Sequence, residues 1–275
     1  MSQDVTNDPS LWKPQFPKLA SDVHKYARGH ALVMGGGMAT TGAARLAAVS
    51  ALRAGAGLVS VACSLEALPV YAASLTAVMT KPFAHARELE ALLEDARITA
   101  VLIGPGYGIS NQTRDDTLHI LSHKKPCVID ADAINAFSSA PNRLFDAIQS
   151  PAVLTPHEGE FARLFDVGGS KPERARLAAR QSKAVVLLKG SETAIASPDG
   201  RTVINRNAPP WLATAGSGDV LAGIITGLLA QGMPAFEAAC AGAWIHGAAA
   251  SRFGLGMIAE DLPGALPAIL QEIAA

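Results

Sequence analysis

The sequence predicts an α/β protein built on a mostly parallel sheet with helices on both faces. Three observations carry this reading. Short, continuous aliphatic runs recur along the chain, helical patterns separate nearly every pair of them, and most end in turns rich in Gly, Asp or Pro. A strand buried on both faces reads as an unbroken apolar run, and alternation of strand and helix builds a parallel sheet.

In chain order, residues 1–20 hold Pro9, Pro14 and Pro17 and are expected to form an irregular arm. Residues 31–34 are the first strand, ending in Gly35-Gly36-Gly37. Residues 40–54 follow as a helix, with Leu46, Val49 and Leu52 at helical spacing. Strands are expected at 58–62 and at 101–103, the latter running into Gly104-Pro105-Gly106. Residues 127–129 end in Asp130, 152–154 in Thr155-Pro156-His157, and 184–188 in Lys189-Gly190. Two short runs, 193–196 and 202–204, flank Pro198-Asp199-Gly200 and predict a hairpin at a sheet edge. Apolar helices are expected over 220–230 and 238–250. No repeat, low-complexity tract or linker divides the chain, so a single domain over residues 1–275 is expected.

Composition bounds the function classes. With 49% hydrophobic and 17% charged residues and a mean hydropathy of +0.23, the chain is not intrinsically disordered. Aromatics are only 5%, so Ala, Val, Ile and Leu must build the core, and small residues suit close helix packing. A net charge of -1 gives no field to gather nucleic acid or anionic lipid. Cys63, Cys127 and Cys240 are far apart without C-x-x-C spacing, which predicts buried thiols in a reducing compartment rather than disulfides or zinc. The longest apolar run, 220–230, is too short for a bilayer, which takes about 20 residues. Residues 1–10 lack a signal-peptide pattern, and a cytoplasmic location is expected.

In open parallel sheets ligands bind beyond the carboxyl ends of the strands. Gly35–Gly37, Gly104–Gly108, Asp130 with Asp132, His157 with Glu160, and Lys189-Gly190 all fall there. Ala215-Gly216-Ser217-Gly218-Asp219 opens the apolar helix 220–230, where unpaired N–H groups and the dipole favour an anion. Two readings are open for it. Ser217 is an N-cap with Asp219 a first-turn acid, or Asp219 is a base that deprotonates a hydroxyl attacking a phosphoryl group. For His157 and Glu160 a helix cap competes with a site role. Asp130 is either a strand-end residue or an organiser of Mg²⁺ through water. The dinucleotide pattern G-x-G-x-x-G fails, because the sixth position from Gly35 is Thr40, and no P-loop is present. His24, His30, His85, His119 and His123 show no partners at metal-ligand spacing. His246 is expected to be a satisfied buried histidine, and Lys171–Arg180 a solvated helix face.

Together these segments resemble the ADP/ATP-dependent NAD(P)H-hydrate dehydratases of the ribokinase-like superfamily. The resemblance rests on Asp130-Ala131-Asp132-Ala133-Ile134-Asn135, Thr155-Pro156-His157-Glu158-Gly159-Glu160, Leu188-Lys189-Gly190 and Leu212–Gly223, with Gly35-Gly36, Thr41–Ala44, Arg53–Val59 and Gly104–Gly108 in family order. It implies a three-layer α/β/α sandwich. It also implies phosphorylation of the ring hydroxyl of the S-epimer of NAD(P)H hydrate from ADP or ATP, then elimination of phosphate, a metabolite-repair reaction.

By the same resemblance Asp219 is the catalytic base, and Gly216 and Gly218 supply the anion-hole amides. Lys189, Gly190, Ser191, Glu192 and Thr193, with Gly218, line the adenine nucleotide. Ala43, Gly106, His157 and Asp219 contact the hydrated dinucleotide, and Glu160 with Asp130 holds Mg²⁺. A homo-oligomer, a tetramer in relatives, is implied. Relatives are often fused to an epimerase domain for which 275 residues leave no room, so either a separate epimerase is the functional partner or this chain is a fragment. One segment departs from the family: Asn205-Arg206-Asn207-Ala208-Pro209-Pro210-Trp211 stands where many relatives have Asn-x-Gly-Asn-Pro-Gly. The alternatives are a kinase of a small alcohol or vitamin precursor, which shares the anion hole, and a non-catalytic nucleotide-binding protein.

Overall fold

The computed structural model describes residues 5–18 and 24–274. Ten strands form one sheet: β1 (Val5–Thr6), β2 (His30–Met34), β3 (Leu58–Cys63), β4 (Met79–Pro82), β5 (Ile98–Ile103), β6 (Cys127–Ile129), β7 (Ala152–Leu154), β8 (Val185–Leu188), β9 (Thr193–Ala196) and β10 (Thr202–Asn205). Their order is β1-β10-β9-β8-β7-β6-β5-β2-β3-β4. Pairing is parallel from β4 through β8, and β9 runs antiparallel between β8 and β10.

Alternating side chains sort the core into two layers. Ala31, Val33, Val59, Val61 and Leu102 face one side, packed with helices Thr41–Arg53, Ser217–Ala230, Ala235–Phe253 and Leu262–Ala274. Leu32, Met34, Val101, Ile103 and Ile129 face the other, under helices Ala86–Leu93, Asn111–Ser122, Pro141–Ala147, Glu158–Leu164 and Lys171–Ser182. The result is a three-layer α/β/α sandwich. Small residues act as the composition predicts. Gly223 and Gly227 lie against the Ala47 and Ala51 backbone, where a Cβ would overlap the carbonyls. Helix Ser217–Ala230 is thereby held directly on helix Thr41–Arg53.

Three expectations need correction. The N-terminal arm is not wholly irregular: β1 adds to the sheet, and helix Pro9–Trp12 follows, capped by Asp8, whose carboxylate accepts from Ser10 N at 2.9 Å. Trp12 is fully buried against Trp244 and Phe16. Part of the expected arm, residues 1–4 and 19–20, lies outside the described residues. The hairpin β9–β10 forms, but it is not the edge, because β1 pairs along β10 (Val5↔Val203, Thr6↔Ile204). A two-residue edge strand offers little template for unwanted pairing. At the opposite edge β4 went unpredicted, since Met79-Thr80-Lys81-Pro82 is partly exposed and has no apolar run. The three cysteines are free and buried as expected. Among the described residues no helix is long and apolar enough to cross a membrane.

Candidate functional site

Because β2, β5, β6, β7 and β8 are neighbours running in one direction, their carboxyl-end turns meet at one sheet edge. Backbone hydrogen bonds carry the ladder beyond the strands: Gly35 N donates to Ala62 O, Asp130 N to Ile103 O, Thr155 N to Ile129 O, and Lys189 N to Pro156 O at 2.8 Å. The polar side chains are therefore mounted on a continuous rigid frame.

At its centre Lys189 Nζ donates to Asp130 Oδ1 at 2.9 Å and lies 3.9 Å from Glu160 Oε2. Asp130 is 1% exposed and Glu160 4%. Burial pulls the Lys189 pKa down, but Asp130, then Glu160, outweigh it and hold the ammonium above its ordinary value. The turn is strained, because Ala131 sits at φ +46. That conformation separates two carboxylates two residues apart: Asp130 turns to Lys189, while Asp132 accepts from Gly108 N at 2.8 Å and steadies the Gly104–Gly108 turn. Thr40 closes the same wall by donating to Gly106 O at 2.7 Å, with Ala43 beside Gly106.

Helix Ser217–Ala230 faces this cluster with its N-terminus. Gly216 is the N-cap at φ +86, and no side chain caps the helix. The Ser217 hydroxyl donates instead to Leu212 O at 2.8 Å, so the N-cap reading of Ser217 fails. The first-turn N–H groups lack a side-chain acceptor and lie beside Lys189, since a Cβ on Gly218 would come 3.5 Å from its Nζ. Asp219, in that first turn, has its pKa pushed up to about 6 by burial and by Asp130, opposed by Lys189. A carboxyl so tuned is a general base near neutrality.

His157 caps helix Glu158–Leu164: its Nδ1 accepts from Gly159 N and Glu160 N, and Glu160 accepts from His157 N at 2.8 Å. The capping box leaves the imidazole 55% exposed. Ser191 and Glu192 project to solvent, with Glu192 paired to Arg206, while Thr193 is buried. Asp130, Glu160, Lys189, Gly218 and Asp219 thus come together, whereas Ser191 and Glu192 stand apart on the turn.

Several residues escaped the sequence reading. Lys171 is not merely on a solvated face: its Nζ donates to Lys189 O at 2.9 Å and pairs with Glu158 at 3.3 Å, anchoring the turn after β8. Burial, opposed by Glu158, lowers its pKa. His246 is buried but not satisfied, since Nε2 has no partner. Burial, opposed by the Ser217 backbone, lowers its pKa to about 4, so the ring is neutral. His119 and His123 do have partners: with Glu90 they form a cluster. Asn205 and Asn207 of the departing segment bond to each other at 2.8 Å, and Asn207 donates to Trp244 O, docking β10 on helix Ala235–Phe253.

A family model for NAD(P)H-hydrate dehydratase matches residues 31–272. A bifunctional NAD(P)H-hydrate repair enzyme of Moorella thermoacetica is 40% identical over 95% of this chain and 53% of its own length. An ADP-dependent (S)-NAD(P)H-hydrate dehydratase of Neisseria meningitidis serogroup B is 39% identical over 86% of this chain and 80% of its own. The chain spans about half the length of the first curated relatives it matches. Among solved structures, the ADP/ATP-dependent NAD(P)H-hydrate dehydratase of Bacillus subtilis, co-crystallized with ATP/Mg²⁺, superposes with TM-score 0.87 at 26% identity, covering 99% of this chain and all of that one. With the ribokinase-like sandwich and its strand-end cluster in place, the chain belongs to the NAD(P)H-hydrate dehydratase family.

Proposed function

We propose that this protein converts the S-epimer of NAD(P)H hydrate back to NAD(P)H, using ADP or ATP as phosphoryl donor. The observation that carries the reading is a carboxylate whose pKa is pushed up to about 6, Asp219, in the first turn of a helix without a side-chain cap whose N-terminus abuts the half-buried Lys189. Asp219 takes the proton of the ring hydroxyl as its oxygen attacks the terminal phosphoryl group, and the nucleotide leaves with one phosphate fewer. The ring C–O bond of the resulting phosphate ester then breaks, inorganic phosphate leaves with the bonding electrons, and loss of a proton from the neighbouring ring carbon restores the double bond.

The amides of the Gly216–Gly218 turn and the Lys189 ammonium stabilise charge on the transferred group, which is most of the catalysis available to phosphoryl transfer. Ala43 and Gly106 form the wall against the nicotinamide, with His157 at the rim. The turn from Lys189 to Thr193, pinned by Lys171, lines the nucleotide. Asp130 and Glu160 are hard oxygen donors suited to Mg²⁺ held through its waters. When bound, Mg²⁺ neutralises phosphate charge. A cytoplasmic homo-oligomer working beside an epimerase is the expected setting.

The test is recovery of the reduced-nicotinamide absorbance band from NADH hydrate with Mg²⁺ and ADP, or ATP. Recovery with stoichiometric phosphate release supports the dehydratase. A stable phosphate ester without recovery overturns it in favour of a small-alcohol kinase. Gly218→Ala is a sharper probe of the anion hole. Its Cβ meets only the flexible Lys189 end, at 3.5 Å, so the variant folds. Yet the methyl group occupies the phosphate approach, and kcat falls by roughly 10²- to 10³-fold. Unchanged kcat would remove Gly218 from the site.

A further inference from the structure

We propose that Glu90, His119 and His123 form a binding site for a divalent transition cation of the zinc class, separate from the nucleotide's Mg²⁺. His119 lies on helix Asn111–Ser122 and His123 is its C-cap, so the two imidazoles are one helical turn apart on one face. Glu90 reaches them from helix Ala86–Leu93. One atom from each side chain lies within 4.8 Å of the other two. Both Nε2 atoms converge on a single oxygen, Glu90 Oε2, at 2.6 Å from His119 and 3.4 Å from His123.

The imidazole planes cross at 74° with centroids 5.2 Å apart, so the rings aim toward a shared point rather than stack. His119 Nε2 is fully buried and, despite the close carboxylate, makes no hydrogen bond. A buried nitrogen without a directional partner is costly, and a cation in the gap between the three donors removes that cost.

Ligand geometry selects the ion. Zinc bonds of about 2.0–2.1 Å in a tetrahedron set neighbouring donors roughly 3.3 Å apart. The His123–Glu90 separation already matches, and the His119–Glu90 pair needs to open by a fraction of an ångström. Two imidazoles with one carboxylate suit Zn²⁺, Co²⁺ or Ni²⁺, whereas Mg²⁺ and Ca²⁺ take oxygen donors. The three side chains remain 29%, 16% and 40% exposed, which leaves an entry path and a fourth position for water. Helix Asn111–Ser122 starts beside the Gly104–Gly108 turn, so its histidine end lies away from the crevice. The bound ion clips two surface helices together and acts on stability, not on the phosphoryl group.

The experiment uses tag-free, EDTA-stripped full-length protein dialysed against Zn²⁺, and separately Co²⁺, with the metal content measured. The wild type is expected to take up one equivalent of Zn²⁺, to show visible Co²⁺ absorption, and to melt several degrees higher with Zn²⁺. His119→Ala/His123→Ala loses all three responses, and Glu90→Gln binds at least tenfold more weakly. If the double variant fails to fold, His123→Asn, altered at the helix end, gives the same reading. No uptake by the wild type, or equal uptake by wild type and variants, overturns the site.

Discussion

Asp219→Asn slows recovery of the nicotinamide band by roughly 10²- to 10⁴-fold, the contribution of a positioned general base. Nucleotide binding is retained, because the amides of the Gly216–Gly218 turn are backbone groups that the substitution leaves in place. The wild-type pH profile carries the same residue. Asp219 accepts a proton only when ionised, so kcat/KM rises about tenfold per pH unit up to the raised pKa near 6 and then levels. Stability moves the other way. A carboxyl whose folded pKa lies above its unfolded value of 3.8 binds more protons folded than unfolded between the two, so its ionisation destabilises the fold as pH rises through that window. At neutral pH Asp219→Asn therefore melts higher than the wild type, by on the order of 1–3 kcal/mol. A variant less stable than the wild type, or fully active, would show that Asp219 is a first-turn acid of structural use only.

Removing the cation of the central cluster has the largest expected effect on stability. Lys189→Met leaves the Asp130 carboxylate, 1% exposed, without its partner, and Glu160 beside it. Breaking such a pair from one side costs about 3–5 kcal/mol. The loss is greatest at neutral pH and shrinks toward acid, where the stranded carboxyl takes up a proton. In the wild type the raised Lys189 pKa means that its stabilisation is complete at neutral pH and fades only at high alkalinity. Adding Asp130→Asn to Lys189→Met restores most of the stability but not the activity, because the charge facing the phosphoryl group is still missing. Urea denaturation across pH together with the absorbance assay separates the two effects. Equal stability of Lys189→Met and wild type at pH 7 would overturn the account.

How much of the site was legible depended on how local its cause was. The strand-end turns could be read because β-branched and aliphatic runs stop abruptly at Gly, Asp or Pro, and parallel pairing then forces every such end to one edge. Whether Ser217 caps the helix could not be read. It turns on where one hydroxyl points, and that hydroxyl reaches Leu212 O, on the chain just before the helix. Lys171 looked like part of a charged helix face because its position in the helical repeat is polar, but its amine reaches back to the Lys189 carbonyl across the turn. The pair His119 and His123 has the i, i+4 spacing of helix ligands, contrary to the expectation that these histidines lack such spacing, and a third donor lies elsewhere in the chain. That donor is Glu90, 29 residues away on another helix.

By itself the sequence determined the central alternation of strands and helices, the burial of the central strands, the turns at their carboxyl ends and the family to which the chain belongs. These are consequences of short-range pattern: apolar run length, helical periodicity, and turn residues whose backbone freedom is intrinsic. Only the tertiary structure decided that β1 seals the β10 edge, that Asp130 and Glu160 share one ammonium, and that burial and Asp130 push the Asp219 pKa up to about 6. Those outcomes depend on distance and desolvation between groups remote along the chain. Electrostatic energy follows spatial separation and burial, neither of which a linear spacing encodes.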